Sequence, residues 1–244
     1  MSTYFGVDSF FRADTKLQPN LTLYEWVVRN QSMPKFWGRT LDGKEALTCE
    51  EISFLHEKGT KIAMIYNGAE KDSMSTEENG IDDAKNIHYM LQSIAPSLPE
   101  NKAVFLLIAE DYNPSADYLI AFASILNENG HIAGFYAITD SNLHNFNHAF
   151  AQAFLKAPEI MQRCLIWARE PVMLDFEPKA DKREAHTPPP NEWKPFSPSC
   201  LSRSDIAFWQ YDRHKDPVYN TEDGLIDYNI NLARNSDLIL DYCW

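Results

Sequence analysis

Acidic side chains recur at the ends of short apolar runs along this chain, and paired carboxyl groups can do acid and base chemistry. Two carboxyl groups cleave a glycosidic bond with retention when they lie about 5 Å apart, or with inversion at roughly 6.5 to 9.5 Å. Acids from runs far apart in sequence meet either demand only if the fold brings the run ends together. The acids expected to carry such chemistry are Asp8, Glu110, Asp111 and Asp227.

Aromatic and hydrogen-bonding side chains lie at the ends of the same runs, and both kinds suit a sugar ligand. Side chains alternate along a strand, so Ile108 and Glu110 share one face. We expect Ile108 to fill a barrel interior and Glu110 to be the inward carboxylate. The simpler alternative for any single acid is a helix cap or an ion pair with Arg39 or Arg169. The side chains expected to bind substrate are Tyr66, Tyr136, Trp209, Gln210, Arg169 and Asp140.

The apolar runs alternate with longer amphipathic segments, a pattern typical of parallel strands joined by crossover helices. Helices are predicted over residues 23–29, 48–58, 81–94, 116–129 and 143–162. Thr48 and Glu51 have the spacing of a capping box, and Gly59 and Gly130 stand where helices need a left-handed stop. The predicted strands cover residues 4–10, 34–41, 61–67, 104–110, 133–140, 164–169, 205–211 and 225–231.

The regular alternation fails after Arg169. Residues 171–200 hold seven prolines, which exclude a long helix or a central strand and predict a loop. The last two strands follow with no room for a full helix between them. We therefore predict an α/β fold, a TIM-type (β/α) barrel with eight strands and a reduced helix set in the last third. It forms a single domain over residues 1–244.

Composition narrows the function classes. A net charge of −13 repels nucleic acid phosphates, so nucleic acid binding is not expected. The four cysteines include no C-x-x-C pair, and no phosphate-binding glycine motif is present, so no metal or cofactor is expected. The first residues contain neither a basic segment nor an apolar stretch long enough for a signal peptide or membrane span. We expect synthesis in the cytoplasm, with any export by a leaderless route.

Six short segments follow one another along the chain. They are Gly6-Val7-Asp8, Glu110, Gly134-Phe135-Tyr136, Ile166-Trp167-Ala168-Arg169, Trp209-Gln210-Tyr211 and Asp227-Tyr228-Asn229. Over nearly the whole chain, their order and spacing resemble the lysozymes of glycoside hydrolase family 25. A closer resemblance is to the glycoside-hydrolase-like relatives of that family, known as a domain of unknown function. In those relatives a recurrent Gly-x-x-Asp-Ala precedes the acidic strand, as residues 80–84 do here.

The resemblance implies a muramidase-type barrel that acts on peptidoglycan, with Glu110 as general acid and Asp8 and Asp227 lining the site. One departure stands out, because the family carries Asp-x-Glu where this chain has Ile108-Ala109-Glu110. Three alternatives stay open. Asp111 or another rim acid replaces the missing Asp, a substrate acetamido group replaces it, or the barrel binds glycan or a protein partner without cutting.

The relatives often end this strand with an acid, a Tyr and then an acid or amide, as Asp111-Tyr112-Asn113 does, so the register between Glu110 and Asp111 is open by one residue. If the chain is a delivered toxin, an immunity or delivery protein is a further expected partner.

Overall fold

The computed structural model describes residues 2–140, 145–170, 190–221 and 224–244. Eight strands close into a barrel in the order β1-β10-β9-β8-β7-β6-β5-β4, which confirms the predicted fold class. A separate two-stranded sheet pairs β2 (Lys16–Gln18) with β3 (Leu21–Thr22). The barrel strands are β1 (Tyr4–Asp8), β4 (Phe36–Thr40), β5 (Lys61–Tyr66), β6 (Ala103–Ile108), β7 (Ile132–Ala137), β8 (Leu165–Arg169), β9 (Ile206–Thr221) and β10 (Gly224–Ala233).

All neighbouring barrel strands pair in parallel except β10, which runs antiparallel to both β9 and β1. Strand β9 ends at Thr221 and β10 begins at Gly224, so the two residues between them are too few for a crossover. The other seven strands therefore share one carboxyl end, which we call the mouth of the barrel.

The helices are α1 (Leu23–Asn30), α2 (Cys49–Glu57), α3 (Glu77–Ile94), α4 (Ala116–Glu128), α5 (Phe146–Lys156), α6 (Pro158–Met161) and α7 (Ser236–Tyr242). The single helix predicted over residues 143–162 is wrong, since α5 ends before Pro158 and α6 starts there; a proline ring removes an N–H and clashes with the preceding turn. Residues 143 and 144 of that prediction, and 171–189 of the predicted loop, lie outside the described residues. Residues 190–200 contain no helix or strand.

The capping box predicted at α2 is only half formed. The Thr48 hydroxyl accepts a hydrogen bond from the Glu51 amide at 3.3 Å. The Glu51 carboxylate does not return to the cap; its Oε1 instead accepts from Arg39 Nε at 2.7 Å and from the Ala13 amide at 2.7 Å. The predicted left-handed stops are confirmed, with φ of 72° at Gly59 and 80° at Gly130.

Two apolar clusters separate the inside of the barrel from its outside. The inner cluster holds alternate strand residues, among them Phe36, Phe105, Trp167 and Phe208, and includes three residues of α7. The outer cluster joins the opposite strand faces to the surrounding helices. Ile108 belongs to the outer cluster with Val104 and Leu106, whereas Ala103, Phe105 and Leu107 belong to the inner one. The expectation that Ile108 fills the interior is therefore wrong.

Among the helices in the described ranges, none combines the length and the apolar character that crossing a bilayer requires.

Candidate active site

Asp8 is the last residue of β1, and its carboxylate lies inside the barrel at the mouth, with the residue only 6% exposed. Oδ1 accepts from Asn231 Nδ2 at 2.8 Å and from the Tyr136 hydroxyl at 3.2 Å. Oδ2 accepts from Asn229 Nδ2 at 2.7 Å. Three neutral donors from β7 and β10 therefore hold both oxygens of one buried acid.

Strand register explains why these groups meet. The antiparallel pair places Asn229 of β10 opposite Asp8 of β1, and Asn231 follows on the same face. On the other side, the parallel register sets Gly38 of β4 beside Asp8. A Cβ at residue 38 would lie 2.5 Å from the Asp8 Cβ and 2.9 Å from the Trp167 ring. The absence of a side chain at Gly38 makes room for the acid.

Burial raises the pKa of Asp8 above its usual value, because removal from water disfavours the charged carboxylate. The hydrogen bonds from Asn229, Asn231 and Tyr136 oppose this rise, as does the positive charge of Arg169. Asp8 is thus an acid held in place by fixed donors and inclined to keep its proton.

Tyr136 connects Asp8 to the neighbouring strands. Its ring stacks on Trp167 with centroids 4.5 Å apart, and its hydroxyl also lies within hydrogen-bond distance of Gln210 Oε1. The Tyr136 hydroxyl has one proton and two acceptors. When Asp8 is ionised, the proton points to Asp8; when Asp8 is protonated, the carboxyl can donate to Tyr136, which then donates to Gln210. The row Asp8, Tyr136, Gln210 can therefore reorient its hydrogen bonds to suit either protonation state of Asp8.

A buried ion pair supports the chain just after Asp8. The Arg39 guanidinium binds Glu51 and donates to the carbonyl oxygens of Ser9 at 2.8 Å and Phe10 at 2.9 Å. The Ser9 hydroxyl in turn donates to the carbonyl oxygen of Asp227 at 2.6 Å. The turn after β1 is thereby tied to β4, α2 and β10, which fixes the end of β1.

The structure brings Asp227 to the mouth, yet its carboxylate is engaged. Arg213 of β9 forms an ion pair with the Asp227 carboxylate. Two more predicted substrate contacts lie in register, Arg169 at the end of β8 and Gln210 within β9. Gln210 contacts Tyr136, and the Arg169 charge acts on both Asp8 and Tyr136. The structure thus places Asp8, Tyr136, Gln210, Arg169 and Asp227 at the mouth.

Glu110 and Asp111 do not join this group. Both are exposed in the turn after β6, and Asp111 forms an ion pair with Lys71 at 2.9 Å. The inner face of β6 runs through Phe105 and Leu107, and alternation continues it to Ala109 rather than to Glu110. The expectation of Glu110 as an inward carboxylate is therefore wrong, and Glu110 stands at the outer rim.

Tyr66 and Trp209 also face away from the interior, so the structure does not bring them to the sugar-binding position expected of them. Tyr66 is buried in the outer cluster and donates to Asp83 of α3 at 2.9 Å. The same carboxylate accepts from the Tyr118 hydroxyl of α4 at 2.6 Å. Trp209 lies in the outer cluster against Trp193, with ring centroids 5.7 Å apart.

Sequence reasoning missed a second buried acid, Glu170, which directly follows β8 and is 3% exposed. Its Oε1 accepts from the Thr139 hydroxyl at 3.2 Å and from the Phe196 amide. The pKa of Glu170 is raised to about 7, chiefly by burial and less by the nearby charge of Asp140, a predicted substrate contact, while its hydrogen bonds oppose the rise. The signal available in the sequence was an acid in the first position after a predicted strand.

Asn231 was also missed. In the last predicted strand, positions 227, 229 and 231 share one face, and all three are polar. That alternation was the available signal, because a run of polar side chains inside a barrel must bond to something there.

No protein-family model and no curated protein sequence matches this chain. Solved structures do match. An uncharacterized B. stearothermophilus protein is 25% identical, with a TM-score of 0.73 over 99% of this chain and 100% of that one. A bacterial lysozyme from Streptomyces coelicolor is 12% identical, with a TM-score of 0.52 over 98% of each chain. A family 25 lysozyme from Aspergillus fumigatus is 13% identical, with a TM-score of 0.50 over 98% of each chain.

These likenesses concern the fold. The chain has a barrel like that of the glycoside hydrolase family 25 lysozymes, as the resemblance implied. The similarity to the two lysozymes covers 98% of each of their chains.

Proposed function

We propose that this chain is a glycoside hydrolase that acts on the peptidoglycan of bacterial cell walls. The observation that carries the proposal is Asp8, a buried carboxyl group at the mouth whose pKa is raised and whose oxygens are held by three fixed donors. A buried acid with a perturbed pKa at the substrate end of a barrel is the usual sign of a catalytic group. The lysozyme-like fold supports the choice of glycan.

Asp8 acts in this proposal as the proton donor to the leaving oxygen. A raised pKa suits that role, because the acid must still hold its proton at the working pH. The row through Tyr136 and Gln210 keeps the carboxyl group oriented in either protonation state.

The second catalytic group comes from the substrate rather than from the interior of the barrel. Asp227 is already paired with Arg213, and the inner face of β6 presents Phe105 and Leu107. Some glycosidases use the acetamido group of the substrate in place of an enzyme nucleophile. Cell-wall sugars carry acetamido groups, so one enzyme acid is enough.

Release of reducing ends from purified peptidoglycan tests the proposal. We expect release by the wild type, a loss of at least about 100-fold in Asp8→Asn, and near wild-type release in Glu110→Gln. Asp8→Asn keeps the size of the side chain, and its melting temperature shows whether it folds. If Glu110→Gln abolishes release while Asp8→Asn retains it, the assignment of Asp8 is wrong.

The same apolar inner face of β6 supports a second candidate function, a barrel that binds glycan, or a protein partner, without cutting. The inner face of β6 carries Phe105 and Leu107 and no acid, whereas the resemblance implies a pair of acids at the end of this strand in a family 25 lysozyme. Cosedimentation with insoluble peptidoglycan separates the two candidates. Binding without release of reducing ends at any pH from about 4 to 8 favours the binder.

A further inference from the structure

Two histidine side chains lie side by side at the amino end of the barrel, opposite the mouth. His88 belongs to the second half of α3, and His131 directly precedes β7. Their ring centroids are 5.8 Å apart, and the ring planes are inclined at 53°. His131 is 8% exposed, and His88 is half-buried. A pair of imidazoles therefore connects α3 to the start of β7.

The Nδ1 atoms of both rings are buried, and neither has a hydrogen-bond partner among the residues that the structure describes. A buried polar atom without a partner costs free energy, so a water molecule or an ion is expected to bind there. Burial lowers the pKa of His131, and the charge of His88 lowers it further. His131 is therefore neutral at pH 7, and one of its ring nitrogens carries a lone pair.

Gln92 decides which nitrogen of His88 can carry a lone pair. Its side-chain amide lies one helical turn further along α3, 2.9 Å from His88 Nε2. With the amide oxygen turned toward the ring, Nε2 keeps its proton and donates it to Gln92. The buried Nδ1 then carries the lone pair. A histidine that ligates a metal is usually held in this way, with its other N–H donated to an oxygen.

The separation of the two rings fits one metal ion between them. Two imidazoles on a tetrahedral Zn²⁺, with Zn–N of about 2.0–2.1 Å, place their ring centroids about 5 to 6 Å apart, and the observed separation is 5.8 Å. Nitrogen ligands suit Zn²⁺, Cu²⁺ or Ni²⁺, whereas Mg²⁺ and Ca²⁺ prefer oxygens. The described residues contain no group of three or more His, Cys, Asp or Glu side chains that could hold a metal ion, so water must complete the coordination.

We propose that His88 and His131 bind one divalent transition-metal ion such as Zn²⁺ through their Nδ1 atoms, and that Gln92 orients His88. The ion joins α3 to the start of β7 and stabilises the fold. Because the site lies at the opposite end of the barrel from Asp8, it is separate from the proposed cleavage chemistry. No metal was expected from the sequence, since the two histidines lie far apart in the chain and have no ligand spacing.

Titration calorimetry and thermal unfolding of the full chain with Zn²⁺ test this site. Zn²⁺ is the probe because it is not redox-active and so does not oxidise the four cysteines. We expect one equivalent to bind, and Zn²⁺ at about 100 times its dissociation constant should raise the melting temperature by about 5–10 °C. Mg²⁺ at the same concentration should leave the melting temperature unchanged. No binding of Zn²⁺, or equal shifts with Zn²⁺ and Mg²⁺, overturns the assignment.

Substitutions locate the bound ion. His88→Gln and His131→Gln should each weaken Zn²⁺ binding at least about tenfold and remove the rise in melting temperature. Gln92→Leu should weaken binding by about 10- to 100-fold, because His88 loses the group that orients it. The matched controls are His148→Gln and Gln152→Leu on α5, an exposed pair with the same 2.9 Å contact between a histidine and a glutamine one turn later. Both controls should bind Zn²⁺ as the wild type does.

Melting without metal shows whether each variant folds. If the more deeply buried His131→Gln does not fold, His88→Gln at the half-buried position decides the test. Binding that survives in His88→Gln, or that is lost equally in His148→Gln, would place the ion elsewhere and overturn the assignment. Equal affinities of Gln92→Leu and Gln152→Leu would overturn the orienting role of Gln92.

Discussion

The Tyr136 hydroxyl lies 3.2 Å from Asp8 Oδ1 and donates one of the three hydrogen bonds that oppose the rise in the pKa of Asp8. Tyr136→Phe removes this donor, so the pKa of Asp8 should rise further. With Asp8 as proton donor, the alkaline limb of the pH–rate profile should move to higher pH. The maximal rate should fall about tenfold, the value of one lost hydrogen bond. A profile with an unchanged alkaline limb would mean that Asp8 does not set it.

Tyr66 offers a contrasting substitution, because it faces α3 and not the mouth. Its hydroxyl donates to Asp83, which also joins Tyr118 of α4. Tyr66→Phe should lower the free energy of unfolding by about 1.5–3 kcal/mol, the range for a hydrogen bond to a charged group, and leave the release of reducing ends unchanged. Urea denaturation and the peptidoglycan assay on one preparation measure both. A loss of activity without a loss of stability would show that Tyr66 does contribute to the sugar site.

Gly38 should be intolerant of any side chain because of its contact with Asp8. The Cβ of Gly38→Ala would press on the Asp8 Cβ, on Trp167 and on Ile65. We expect a cost of about 1–3 kcal/mol from overpacking, together with a displaced carboxyl group and lost activity. Gly134→Ala is the control, since its Cβ would crowd the Phe105 ring deeper inside the barrel. It should cost similar stability and less activity. If the two variants lose the same activity for the same loss of stability, the effect of Gly38→Ala is due to packing alone.

Much of the fold follows from local patterns, whereas the site depends on which face each strand turns inward. The eight runs and the stops at Gly59 and Gly130 were visible because apolar periodicity and glycine conformations are local properties. The inward face of β6 was not visible, since Val104 to Ile108 is apolar throughout and both faces are buried. A continuous apolar run does not say which residues meet helices and which meet the interior.

The same reasoning explains which site residues were found. Asp8 follows Gly6 and Val7 in a strand with one polar end, so its position was visible from sequence. The role of the segment from Gly80 to Ala84 was not visible from the sequence. Gly80 packs against the Tyr118 backbone and Asp83 binds two tyrosines, so this segment joins α3 to α4 rather than lining the mouth.

The buried pair of Arg39 and Glu51 should contribute to both stability and the position of β1. Glu51→Leu leaves the Arg39 charge buried without its partner and should cost about 3–5 kcal/mol. The double variant Arg39→Met with Glu51→Leu removes both charges and should recover most of that loss. Its activity should stay low, because Ser9 and Phe10 lose the guanidinium that holds their carbonyl groups. Full recovery of activity in the double variant would show that Arg39 does not position Asp8.

Glu170 should make the protein less stable as pH rises through neutrality. The unfolded chain releases this proton near pH 4.5, whereas burial holds the pKa in the folded protein at about 7. The folded state therefore binds the extra proton between these values. The stabilisation is fully present below about pH 4.5 and is lost as pH rises through about 7, a change of about 3 kcal/mol. Denaturation by urea between pH 4 and 8 measures it.

Glu170→Gln is the matched variant, because it keeps an acceptor for the Phe196 amide and cannot ionise. Asp8, Glu51 and Asp42 also have raised pKa values, so wild type and variant must be compared at each pH. The stability of the wild type relative to the variant should fall between about pH 4.5 and 7 and level off above that, with the variant the more stable at pH 8. Trp209 fluorescence should change across the same range in the wild type alone, since this indole lies close enough to influence the pKa of Glu170. Parallel stability curves would show that Glu170 is already ionised in the folded protein below neutrality.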